Sequence, residues 1–373
     1  MKRTIAILLS GILAFSCALM TSAESLPQSS YKSISISQIG TREETTDSVV
    51  PISDYDLSDI KDFEPLRSFM ERGGIVLTIG TNNCQDMSRI SDQLGMALQP
   101  SQCINGNSVG IVDLATLYYN YGNGKSGIYI ISALPNITEA ELAATVDEAI
   151  DTIHQIQLLP PSDVLDAARA SSGSSIGIIN VTTTYQPRGK LRASFEFFTV
   201  QDYNTQDYYI VKAKVNGQPG CVLASSDSNY ESKYQGKEMK VTIGTNSDSV
   251  STDSYGPYST NNATSYSVSV GGSFQDGLPG FAANFSYSRS IYNTNIAAAL
   301  LSGQASWTLD LKSKAQEQTC DFEPAVTFRC PSTKASADFT LFASYDLDAW
   351  NTLTKTISLS RTVRCTPSGV SQL

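Results

Sequence analysis

Thr264-Ser-Tyr-Ser-Val-Ser-Val-Gly-Gly-Ser-Phe274, Gln275-Asp-Gly-Leu-Pro-Gly280 and Phe281-Ala-Ala-Asn-Phe-Ser-Tyr-Ser-Arg-Ser-Ile-Tyr292 form one continuous stretch of two alternating segments around a turn. In the first segment Tyr266, Val268 and Val270 fall on one face, opposite Ser265, Ser267 and Ser269, and the segment closes on Phe274. In the second, Phe281, Ala283, Phe285 and Tyr287 oppose Asn284, Ser286, Ser288 and Ser290. Successive strand residues alternate faces, so the pattern predicts a two-faced β-hairpin turning at Asp276, Gly277, Pro279 and Gly280. Between Tyr258 and Ser288 the one charged side chain is Asp276, at the tip. A charge-free hairpin with one apolar and one Ser/Asn face meets the needs of a membrane-crossing barrel strand pair, in which each strand takes roughly 9–11 residues. An exposed hairpin of an ordinary sandwich shows the same alternation.

The sequence around the hairpin sets its context. The chain has 373 residues, enough for two domains of ordinary size. Lys2 and Arg3 precede an apolar run from Ile5 to Met20 and a Thr21-Ser22-Ala23 exit. That order predicts a signal peptide over residues 1–23 and an exported, extracellular chain. A formal charge of −10 with no basic stripe disfavours nucleic acid as a partner and attraction to anionic lipid by charge alone. Of seven cysteines, Cys17 lies in the leader. The other six, Cys84, Cys103, Cys221, Cys320, Cys330 and Cys365, read as disulfide candidates in an exported chain. Proximity suggests Cys84–Cys103 and two bridges in the second half. No C-x-x-C occurs and the single histidine, His154, is far from any cysteine in the sequence, so no metal or other cofactor is expected.

Residues 24–60 are rich in Ser, Thr and Asp and read as a flexible leader. Residues 61–160 read as a small α/β domain. Short helices are predicted over 65–72 and 85–94, with strands over 75–79, 109–119 and 127–131. A last helix runs to Gln157, capped by Thr138 and Glu141 and carrying an apolar stripe of Leu142, Val146, Ile150 and Ile153. Gly124-Lys125-Ser126 echoes a phosphate-binding loop, but it precedes a strand where that motif needs a helix, so it reads as a hairpin turn. Beyond Pro160-Pro161 and the Ser/Gly run to Ser175 nearly everything alternates, which predicts an antiparallel β-sandwich over 174–373. The fold class is therefore mainly β: a sandwich with an amphipathic stem-like hairpin, preceded by a small α/β unit.

This second half resembles the leukocidin/haemolysin family of β-barrel pore-forming toxins over roughly residues 175–370. The resemblance rests on Lys240-Val-Thr-Ile-Gly-Thr-Asn246 leading to Tyr266-Ser-Val-Ser-Val-Gly-Gly-Ser-Phe274, a Gly/Pro turn, and Asn284-Phe-Ser-Tyr-Ser-Arg-Ser-Ile291. Asp207-Tyr-Tyr-Ile-Val-Lys-Ala213 upstream and Trp307-Thr-Leu309 downstream extend it. Pro324-Ala-Val-Thr327 and Ser336-Ala-Asp-Phe339 are similar to the closing strands of the related vibrio cytolysins. The resemblance implies a secreted cytolysin that assembles into a ring-shaped homo-oligomer and inserts residues 264–292 into a target-cell membrane, with a lipid, glycan or protein receptor. It also leaves open whether the α/β unit is a pro-region, a chaperone for the stem or an unrelated module. Where the family carries a long rim insertion this chain has about a dozen residues, Ser313 to Glu323. A disulfide-stabilised binding or adhesion sandwich without pore activity is the alternative. One histidine removes most nucleophile–histidine arrangements, so no catalytic residues and no enzyme are expected.

Overall fold

The computed structural model of the chain describes residues 32–41, 45, 48–53, 60–79, 84–102, 110–122, 125–134, 136–158, 174–201, 206–271, 284–301, 303–331, 336–349 and 354–366. The expected signal peptide over 1–23 and the hairpin tip from 272 to 283, with Phe274, Asp276, Gly277, Pro279, Gly280, Phe281 and Ala283, lie outside them.

Two sheets make the body. Sheet A comprises β1 (Lys32–Ser33), β2 (Ser48–Ser53), β3 (Ile75–Ile79), β5 (Val112–Tyr121), β6 (Lys125–Ala133), β7 (Ser174–Tyr185), β8 (Gly189–Gln201), β9 (Gln206–Pro219), β16 (Ala325–Pro331) and β11 (Ser251–Gly256), in that spatial order, with β15 (Cys320–Phe322) also paired to β9. Sheet B runs β12 (Thr260–Gly271), β13 (Asn284–Leu301), β14 (Gln304–Leu311), β10 (Tyr234–Thr245), β17 (Ala337–Ala349), β18 (Lys355–Cys365) and β4 (Leu98–Gln102). Helices α1 (Glu64–Glu71), α2 (Cys84–Gln93), α3 (Glu139–Leu158) and the single turn α4 (Gly220–Leu223), with 3-10 turns at Ile36–Gln38 and Ser313–Glu317, complete the described elements. The mainly β class expected from the alternation is the class observed.

The strands follow from period-2 burial. In β14, Ala305, Trp307, Leu309 and Leu311 are buried between half-exposed neighbours. In β17, Phe339, Leu341, Ala343, Tyr345 and Leu347 do the same, except that Ser344 between Ala343 and Tyr345 is buried too. These rows meet the inner row of sheet A: Phe339 lies against Phe197 (ring centroids 5.7 Å), Tyr209 (5.4 Å) and Phe328 (5.2 Å). A buried ion pair also ties the sheets, with Arg361 of β18 donating to Asp113 of β5, which accepts from Ser132 Oγ at 2.6 Å.

The N-terminal segment is stitched into both sheets. β6 and β7 pair in parallel, from Ser126↔Gly177 to Ala133↔Thr184, and β4 pairs with β18. Part of the expected flexible leader is ordered: β2 pairs in parallel with β3 and buries Val49 and Val50. The predicted helix cap is present, with Thr138 N–H donating to Glu141 Oε2 at 2.8 Å and Glu141 N–H to Thr138 Oγ1 at 3.3 Å. Leu142, Val146, Ile150 and Ile153 are all buried against Leu117, Tyr119, Tyr129, Ile131 and Ile178. Tyr121 pairs with Lys125, and Lys125 and Ser126 open strand β6 rather than the helix a phosphate-binding loop needs.

The expected disulfides are not seen among the described residues: Cys221, Cys320 and Cys365 carry unbridged thiols. Burial pushes the Cys320 thiol up to about 12 and raises Cys221 and Cys365 as well. Cys330 is buried, its Sγ facing the Pro331 carbonyl oxygen at 3.7 Å. Cys84 heads α2, and its expected partner Cys103 lies outside the described residues.

Candidate functional site

The stretch from 264 to 292 forms the paired arms of β12 and β13, in register from Ser265↔Ser290 to Gly271↔Asn284. Tyr266, Val268, Val270, Phe285 and Tyr287 are buried, whereas Ser265, Ser267, Ser269, Ser286, Ser288 and Ser290 are exposed. Ser267 and Ser288 share a hydroxyl hydrogen bond of 2.8 Å on the solvent side.

What the apolar face covers follows from strand parity. Phe197 and Tyr209 touch Phe339 of sheet B, so Phe198, Ile210 and Lys212, at the opposite parity on their strands, point to the outer face of sheet A. Phe285 stacks on Phe198 with ring centroids 4.9 Å apart, and Lys212 Nζ sits 4.6 Å over the Tyr287 ring. The hairpin therefore covers the outer face of sheet A, and at its base Tyr266 meets Phe322 (5.3 Å), whose ring lies 6.3 Å from Trp307 of the inner core. α3 covers the same outer face farther along: Ile178, in its core cluster, pairs with Glu196 in register. The molecule has three layers, sheet B, sheet A, and an outer layer shared by α3 and the hairpin.

Two residues of the body fasten the hairpin, Glu323 at its base and Ser254 farther along. Glu323, between β15 and β16, accepts a hydrogen bond at its carbonyl from Tyr287 Oη (2.8 Å) and donates its N–H to Tyr266 Oη (2.8 Å). Its carboxylate, 8 % exposed, pairs with Arg289 Nε at 2.9 Å and lies 3.9 Å from Lys214 Nζ. Farther along, Ser254 Oγ donates to the Gly271 carbonyl at 2.9 Å and accepts from its N–H at 3.0 Å. Val268 rests over Gly256, where an added Cβ would stand 3.2 Å from Val268 Cγ1.

Lys212, beneath the Tyr287 ring, is one of two buried charged residues on the outer face of sheet A. Glu196 and Lys212 face each other in register on β8 and β9, each about 97–98 % buried (3 % and 2 % exposed). Burial raises the Glu196 carboxyl, opposed by a 2.9 Å hydrogen bond from Ser175 Oγ and by the Lys212 and Lys125 charges. Alternation had marked the strand face of the hairpin, but Glu323, Lys212 and Phe198 went unmarked. They lie tens of residues away in sequence and meet the hairpin only through the layer order. A charged residue inside an apolar strand run, such as Lys212 after Tyr208-Tyr-Ile-Val211, is the one local sign that such a position is special.

No metal-ligating group of three His, Cys, Asp or Glu occurs among the described residues. No helix among them is long and apolar enough to cross a membrane, which leaves strand-built spans unaddressed. His154 is half-buried on α3, its Nε2 without a hydrogen-bond partner.

No family model matches the chain, and no curated protein sequence matches it. Among solved structures, Clostridium perfringens delta-toxin is similar at TM-score 0.32 and 12 % identity, over 52 % of this chain and 87 % of that one. A chain described as a pore forming protein is similar at TM-score 0.29 and 9 % identity, over 53 % of this chain and 86 % of that one. Neither likeness assigns the chain to a family.

Proposed function

We propose that the chain is a secreted pore-forming protein whose β12–β13 hairpin is parked on the outer face of sheet A and leaves it to enter a target membrane. The observation that carries this reading is the hairpin's placement: an apolar face buried against the outer face of sheet A, with a charge-free serine face toward water.

The energetics suit a reversible cover. Burying five apolar side chains is worth roughly 1.5–3 kcal/mol each relative to water. Transfer to hydrocarbon recovers that gain, so what release sacrifices is the set of specific contacts: those at Glu323 and Ser254, the Lys212 charge over the Tyr287 ring and the Phe285–Phe198 pair. Release also uncovers Lys212, a buried cation that the Tyr287 ring lies over while the hairpin is parked. A single hairpin cannot stay in lipid, because its edge N–H and C=O groups would be unsatisfied; several copies closing a barrel satisfy them all. The ring-shaped homo-oligomer follows from that requirement, and neighbouring copies would cover Phe198 and Ile210 once the hairpin has gone.

Dye release from liposomes and from cells, with a search for an SDS-resistant oligomer, tests the reading. Release together with a ring-sized oligomer is expected. Absence of both would leave the binding or adhesion sandwich as the better account.

A further inference from the structure

The turn joining β13 to β14 exposes large apolar side chains that the parked hairpin does not explain. Leu300 is 47 % and Leu301 63 % exposed at the end of β13, and Tyr258 is 64 % exposed. Strand pairing groups them. Ser259 Oγ bonds both the N–H (2.9 Å) and the C=O (3.3 Å) of Ala298, which sets Tyr258 beside the last turnward residues of β13. Tyr258 lies 5.2 Å from Tyr255, whose ring is 6.3 Å from Trp307. Trp307 pairs with Ala298 and Ala305 with Leu300, so Leu300 and Tyr258 share a face while Leu301 projects to the other. Leucine thus wedges out on both sides of the turn, with a tyrosine behind it.

We propose that this turn is a docking surface for an electrically neutral lipid surface, the partner that the pore-forming reading requires; the inference rests on that reading. The chemistry selects the occupant. From Ser290 to Leu309, and from Ser254 to Gln275, no side chain is charged. The neighbouring connection, whose Thr245 N–H donates to the Gly303 carbonyl, carries Asp248. A patch with no cation and a nearby carboxylate fits zwitterionic headgroups rather than anionic ones. Leucine tips with tyrosine at the level of the headgroups are the distribution found at membrane interfaces.

A second copy fits less well. The exposed patch amounts to on the order of 300 Å², against roughly 800 Å² per partner in a stable interface. Edge-to-edge strand addition is also blunted, because the Ser259 hydroxyl occupies both backbone groups of Ala298 where β12 stops pairing.

The experiment separates docking from insertion. The full chain carrying Ser254→Cys and Gly271→Cys, oxidised so that the hairpin is held, is mixed with phosphatidylcholine vesicles and floated. The same chain with Leu300→Ser and Leu301→Ser is the comparison, with sedimentation of both in the absence of vesicles. The expected result is vesicle binding by the held chain and a loss of about tenfold or more with the two serines, as two leucines forfeit their apolar transfer. Both chains sediment alike as monomers in that case. Equal binding by the two chains, no binding by the held chain, binding only to anionic vesicles, or a leucine-dependent dimer would each overturn the docking surface. Docking without dye release after reduction would instead sink the pore reading and leave the docking surface standing.

Discussion

Glu323 fastens the base of the hairpin through its N–H, its carbonyl and its carboxylate. Glu323→Ala removes only the carboxylate and leaves Arg289 without that partner, at a cost of about 1.5–3 kcal/mol for a charge-assisted hydrogen bond. Amide exchange over residues 284–290 is expected to quicken while β14 and β17 hold their protection; uniform quickening would mean the residue supports the whole sandwich. Replacing the buried pair on the outer face of sheet A should act in the opposite sense. Glu196→Gln with Lys212→Met removes two buried charges, a change that is often neutral or stabilising by about 1–4 kcal/mol, so dye release should slow. Tyr266 and Tyr287 were legible as apolar-face residues because their period is local. Their hydroxyl contacts with Glu323 were not, since nothing in a strand pattern encodes a partner 57 or 36 residues away.

At the scale of the element, β13 serves two layers. Thr294 to Leu301 pairs with β14 in sheet B, whereas Phe285 to Arg289 pairs with β12 over sheet A. The exposed serine face gives a test that spares the parked state, unlike Val268, which is fully buried and would disturb folding if made charged. Ser288 is exposed, so Ser288→Lys should leave the monomer's melting temperature unchanged, while the pore's reversal potential moves toward anion preference, as expected of a lumen-facing position. An unchanged selectivity with normal conductance would place that face elsewhere. Long alternating strands and the Thr138–Glu141 cap were readable because each signal is contained in one segment. β2 was missed because Ser48–Ser53 is short and carries Pro51, a residue that argues against a paired strand. β4 and β15 were missed for their brevity, and both exist through partners far along the chain.

The whole molecule is held by layer contacts that no segment announces. The α/β unit and the sandwich look separable in sequence, yet β6–β7 and β4–β18 join them through shared sheets. On the outer face Glu148 of α3 pairs with Lys190 of β8 at 3.1 Å and with Arg192. Burial alone would raise the Glu148 carboxyl, but the two cations outweigh it and hold it below the usual 4.5. A carboxyl lower in the folded state stabilises above its unfolded value, and that contribution is lost as pH falls through the folded one. Acidification below about pH 4.5 should therefore loosen α3 from β8, and Glu148→Gln should flatten that part of the pH–stability curve. An unaltered curve would mean other carboxylates dominate.

The central claim is that the hairpin must leave sheet A. Ser254 Oγ bridges both backbone groups of Gly271, which brings the two residues close enough for Ser254→Cys with Gly271→Cys to form a disulfide between the body and the hairpin. Dye release from liposomes is measured with the double variant oxidised and then reduced. The expected result is no release when oxidised and release restored to the parent level on reduction; equal release in both states would contradict the account.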